Sequence, residues 1–143
     1  MTVSLILAGK GRDVTTTQPH RTLLEMTNVL AEKGIGAVIV TGGDGEVLGI
    51  LSERDIVRAI GRHGVEVLKD SVSKHMTSKV VTTTLEEPID HVMEHMTSGR
   101  FRHLPVIQGG RLVGVVSIGD VVKHRLAMVE SESRAMRDYI ATA

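Results

Sequence analysis

The sequence predicts an α+β fold: two β-α-β-β-α units, related by a pseudo-twofold axis, packed as one module with a C-terminal helical extension. Three observations predict it. The stretch GILSERD (Gly49–Asp55) returns as GVVSIGD (Gly114–Asp120), sharing a glycine, two aliphatic residues, a serine and an aspartate three places after the serine. The features leading to each copy recur in the same order: a threonine run, an amphipathic stretch, an aliphatic run and a glycine-rich turn. Finally, a copy of roughly 55 residues does not easily bury its apolar faces alone, so two copies are expected to share a core.

In the first unit, DVTTT ends a short strand at Thr17, and TLLEMTNVLAEKG reads as an amphipathic helix. AVIV (Ala37–Val40) and EVLGILS flank the turn TGGDGE and read as a hairpin. Ser52 then opens a helix through Ile56, Val57 and Ile60. In the second unit VVTTT ends at Thr84, and Ile89, Val92, Met93 and Met96 fall on one helical face. HLPVI (His103–Ile107) and RLVGVVS flank QGG as a second hairpin, and Ser117 opens a helix through Val121, Val122 and Leu126. The opening VSLILAGKG faces VSKHMTSK, starting at Val3 and Val72. The offset between copies drifts by a few positions because insertions fall in loops. These boundaries divide the chain into a first unit with its N-terminal segment (1–62), a linker (63–71), a second unit (72–127) and an extension (128–143).

Composition removes several function classes. The chain carries 17 basic and 17 acidic residues, so a general electrostatic hold on nucleic acid is not expected. Phe101 and Tyr139 are its aromatic residues, too few for stacking single strands. There is no cysteine, hence no disulfide or thiolate metal site. No stretch approaches the roughly 20 apolar residues of a membrane span, and VSLILA is too short for a secretory core. A cytoplasmic protein without membrane attachment is expected.

The repeated serine and aspartate admit two readings. As a helix cap, the serine sits at the N-cap and the aspartate reaches back to it. Asp is one carbon shorter than the usual Glu of such a box, and Gly119 in the first turn of the second helix leaves room near the backbone. As a ligand site, the same helix N-terminus suits a phosphate, the serine adds a donor, and the carboxylate accepts both hydroxyls of a ribose. The two readings are compatible.

The repeated unit resembles the CBS domain, and the pair resembles a Bateman module, on three features: HMTSKVVTTT, the RHLPV run and the two G-h-h-S-x-x-D stretches. The resemblance covers about Val3 to Leu126. It implies binding of an adenosine compound (AMP, ADP, ATP, S-adenosylmethionine or NAD(H)) in clefts between the units, with a regulatory rather than catalytic role and no required cofactor. It also implies cross-paired pockets. One would join Ser52, Arg54 and Asp55 with Val81, Thr82, Phe101, Arg102 and His103, with Asp55 on the ribose and Ser52, Arg102 and His103 at phosphate. The other would join Ser117 and Asp120 with Val14, Thr15, Ile35, Gly36 and Ala37. In that second pocket Gly36 and Ala37 stand where Arg102 and His103 stand in the first, and Gly119 replaces Arg54. The first pocket is therefore expected to be cationic and to bind phosphorylated adenosine more tightly, unless Lys10, Arg12 or Arg21 reaches into the second.

His91, Glu94 and His95 spell H-x-x-E-H, an inverted zinc-peptidase pattern. Both histidines lie opposite the apolar face, and no third ligand is assignable, so a zinc hydrolase is a distant alternative and no catalytic or metal residue is assigned. GKGR lacks the rest of a P-loop, and GIGAVIV lacks a third glycine for a dinucleotide fingerprint. Past the second unit, Val122, Leu126, Val129, Met136 and Ile140 recur three and four apart, with Ser133 interrupting. That stripe predicts a long helix whose apolar face needs another surface, most simply a second copy. The expected protein is thus a stand-alone homodimeric sensor of an adenosine nucleotide, acting on an unidentified partner protein. A dimerisation module with vestigial clefts is the alternative.

Overall fold

The computed structural model describes residues 1–142. Its elements run α1 (Val3–Lys10), β1 (Thr16–Thr17), α2 (Leu23–Lys33), β2 (Ala37–Thr41), β3 (Val47–Ser52), α3 (Glu53–His63), a 3-10 turn (Val65–Lys69), α4 (Val72–His75), α5 (Ile89–Gly99), β4 (His103–Gln108), β5 (Arg111–Ser117) and α6 (Ile118–Thr142). Both hairpins are antiparallel and in matching register, with Ala37 opposite Ser52 in the first and His103 opposite Ser117 in the second. β1 adds to β2 in parallel through Thr16 and Thr17. In the second unit the corresponding strand shrinks to a single parallel bridge, Thr83 to Val106. The buried threonine survives in both places: Thr17 and Thr83 are the buried polar residues among those described.

The apolar residues form two clusters, one per unit, where a single shared core was expected. One gathers Leu23, Met26 and Leu30 of α2, the first hairpin, and Ile56 and Ala59 of α3. The other gathers Ile89, Val92 and Met96 of α5, the second hairpin, and Val121 of α6. What ties the units together is an exchange of their opening segments. Val3, Ile6 and Leu7 of α1 pack into the second cluster, while Val67 and Val72 from the middle of the chain pack into the first. Backbone bonds pin each exchanged segment: Val3 N–H donates to Glu87 O at 3.0 Å, and Val72 N–H to Arg21 O at 2.7 Å.

The exchange explains the glycine that heads each repeated stretch. A Cβ on Gly49 would lie 2.7 Å from Met76 Sδ and 2.8 Å from Thr77 O. A Cβ on Gly114 would lie 2.7 Å from Leu7 Cδ1. In each case the hairpin is covered so closely by the segment from the far side that a Cβ fits only if its neighbour gives way. Val57 and Val122, at matching places on α3 and α6, face outward instead of joining a core.

Candidate functional site

Each repeated serine caps its helix. Asp55 N–H donates to Ser52 Oγ at 3.3 Å, and Ser52 N–H donates to Asp55 Oδ2 at 2.9 Å. Ser117 and Asp120 reproduce the arrangement at 3.1 and 2.9 Å. The shorter aspartate therefore does close a capping box. The cap leaves the outer carboxylate oxygen of Asp55 turned toward Thr77, whose hydroxyl donates to it at 3.3 Å, with Arg58 Nη1 at 3.8 Å.

A cavity of about 550 Å3 opens beside this turn. It lies within the usual range for a small-molecule site. Ser52, Arg54 and Asp55 line it from the first unit, and Val81, Phe101, Arg102 and His103 from the second. Thr82 is exposed nearby but does not line it. Several lining residues lie outside the predicted set: Arg58 one turn into α3, Thr77 and Lys79 in the connection before α5, and Arg100 at the end of α5. Lys79 stands where Lys10 stands in the first unit, and Arg58 where Lys123 stands in the second. Arg58 was findable, being one turn beyond Asp55 on the same helix, and so was Lys79, which lies within HMTSKVVTTT; Arg100 sits where only the tertiary fold brings it near. Arg54, Arg58, Lys79, Arg100 and Arg102 face Glu53 and Asp55 around this one space, so the cavity is strongly electropositive. His103 adds no charge near pH 7: burial, followed by the neighbouring Lys10 charge, holds its imidazole below the ordinary histidine range.

The turn at Ser117 and Asp120 has a different environment. Lys10, from the end of α1, reaches it: its ammonium donates to Asp120 Oδ2 at 2.6 Å and to Val115 O at 2.9 Å. Burial works to raise the Asp120 pKa, but the bonds from Lys10 and from Ser117 N–H outweigh it and hold the carboxyl below its usual range. Of the residues grouped with this turn, Gly36 and Ser117 border the first cavity across the pseudo-twofold axis. Ala37 pairs with Ser52 in the hairpin, Ile35 packs on the first core, and Thr15 accepts a bond from Lys33. Val14 is half-buried beside them. Val14, Thr15, Ile35, Ala37 and Asp120 line none of the cavities found among the described residues.

The H-x-x-E-H stretch is built into α5, where His95 Nε2 lies 3.1 Å from Glu87 Oε1 and His91 is exposed. Among the described residues no three His, Cys, Asp or Glu side chains are placed to hold a metal ion. No described helix is long and apolar enough to cross a membrane.

Two copies of one unit, each opening its second helix with a serine-aspartate box and meeting across an electropositive cleft, define a tandem-repeat module. The chain belongs to the CBS domain family, whose domain matches residues 11–62 and 71–127. A CBS-domain protein from Agrobacterium tumefaciens is 49% identical, with a TM-score of 0.85 over 87% of this chain and 99% of that one. A CBS domain protein from Pyrobaculum aerophilum, complexed with AMP, is 26% identical, with a TM-score of 0.79 over 93% of this chain and 99% of that one. A mitochondrial CBS domain-containing protein of Arabidopsis thaliana is 34% identical over 83% of this chain. The matched segment spans only 60% of that plant protein, and 63% of a curated relative from Acidianus ambivalens.

Proposed function

We propose that this chain is a non-catalytic sensor that binds a phosphorylated adenosine compound (AMP, ADP, ATP or NAD(H)) in the cavity beside Asp55 and passes the occupancy to a separate protein. The observation that carries the reading is the cavity's composition. A ribose-competent carboxylate at a helix N-terminus shares one space with five basic side chains drawn from both units. Charge of that sign favours phosphates over the sulfonium of S-adenosylmethionine. The AMP complex of the Pyrobaculum relative supports the ligand class. For the turn at Asp120, the bound Lys10 supports a vestigial or weaker cleft.

The reading includes a homodimer through α6. Val122, Leu126, Val129, Met136 and Ile140 are each between 49% and 67% exposed, too apolar a stripe to face water along its length. With Leu126, Ser133 and Ile140 at heptad position a, Arg125 and Glu132 fall at g, and Glu130 and Arg137 at e. A parallel pairing then sets Arg125 against Glu130 and Glu132 against Arg137, while an antiparallel one about the same centre sets glutamates opposite each other.

A thermal-shift screen with AMP, ADP, ATP, NAD, NADH and S-adenosylmethionine tests the sensor. A ligand near a hundred times its Kd should add about 2.7 kcal/mol to the stability. An unchanged melting temperature with every compound would overturn the sensor and leave the dimerisation module.

A further inference from the structure

α2 and α5 end in the same way but with different residues. Gly34 closes α2 at φ 62°, ψ 37°, and Arg100 closes α5 at φ 56°, ψ 31°. Each stands three residues before the strand position that pairs with a helix-capping serine, Ala37 with Ser52 and His103 with Ser117, so the two are equivalent. Left-handed backbone suits glycine and disfavours a residue with a Cβ. Arg100 is the one non-glycine residue with positive φ among those described. The neighbouring glycine does not relieve it. Gly99 stays helical under the Phe101 ring, where a Cβ would lie 2.0 Å from Cε1.

Packing does not account for the arginine. Its side chain is exposed, lines the cavity beside Lys79 and Arg102, and forms no ion pair among the described residues. An unpaired guanidinium held at a strained position on the rim of an electropositive cleft is positioned for an anion that enters the cleft.

We propose that Arg100 is a phosphate-contacting residue of the cavity, held at a backbone position whose stability optimum is glycine. The assignment rests on the sensor reading of that cavity. It makes Arg100→Gly a variant with effects of opposite sign. The fold should melt a few degrees higher, because strain is released. AMP should bind about tenfold more weakly, because a charge-assisted contact is lost. Adenosine, which has no phosphate, should bind as it does to the unaltered chain.

The experiment is calorimetric titration of AMP and of adenosine into both proteins, with thermal melts of each without ligand. A higher melting temperature with weakened AMP and unaltered adenosine binding supports the proposal. Unchanged AMP affinity in Arg100→Gly would overturn the phosphate role while leaving the sensor intact, as would equal weakening of AMP and adenosine. A lower melting temperature would overturn the strain argument. Absence of AMP binding to the unaltered chain would remove the sensor reading and this assignment together.

Discussion

Around Asp55 the chain gathers five basic side chains and an open cavity; around Asp120, on the same serine-capped turn, it places one lysine already bonded to the carboxylate. The backbones match down to the capping bonds. The charges do not, because the matched positions exchange Arg102 and His103 for Gly36 and Ala37, and Arg54 for Gly119. Helix caps and hairpin register are demands of the fold and recur in both units. On the proposed sensor reading, side chains that line the cleft answer to a ligand, and their divergence fits a protein in which one cleft does the binding.

The strongest way to break this comparison is to remove the two aspartates separately. Each substitution to alanine deletes an equivalent capping bond worth about 1 kcal/mol, and Asp120→Ala loses the Lys10 pair as well, so it should be the more destabilising of the two. In an AMP titration, Asp55→Ala should weaken binding by about 100-fold, or about 2.7 kcal/mol, and Asp120→Ala by less than about threefold. Equal losses would show that the clefts work as a pair.

The repeated glycines sharpen the comparison on the packing side. A methyl at Gly49 meets a backbone carbonyl, Thr77 O, whereas one at Gly114 meets only the Leu7 side chain, which has rotamers to yield. In urea melts Gly49→Ala should cost about 2–3 kcal/mol and Gly114→Ala about 1 kcal/mol. The reverse order would mean that α1 is the stiffer of the two exchanged segments.

The smallest effect comes from Lys10. Its pair with Asp120 is partly exposed, at 32% and 22%, so after solvent screening Lys10→Met should cost only about 0.5–1 kcal/mol at pH 7. Because the folded Asp120 pKa is depressed, its stabilisation is complete above the unfolded value and is lost as pH falls through the folded one. The gap between variant and parent should therefore hold from pH 8 down to 5 and close in stronger acid. A gap that widened on acidification would rule out the ion pair as its source.

Much of this was legible in the sequence because duplication leaves paired traces. Periodicity placed the α5 face at Ile89, Val92 and Met96, and the serines marked the starts of α3 and α6. The family and its paired architecture followed from the ordered set. Other features were hidden for physical reasons. Apolar spacing says that Val3 and Val72 are buried, but not in which unit, so the exchange and the two separate cores were not foreseen. Gly99 is the natural sequence cue for the end of α5, yet the left-handed residue is Arg100, while Gly99 stays helical beneath the Phe101 ring, where a side chain has no room. The Lys10 contact spans 110 positions, a separation over which local patterning carries no signal.

The exchange of opening segments also sets a timetable for the growing chain. α1 leaves the ribosome well before the hairpin it covers, which ends with β5 about a hundred residues later. At about 5–20 residues per second, the apolar Val3, Ile6 and Leu7 remain without their partners for roughly 5–20 s. The first unit meanwhile waits for Val67 and Val72 before its own core closes. Neither half is finished until the other has been made, so the two units reach their folded state together, once β5 has been made, rather than as two domains in succession.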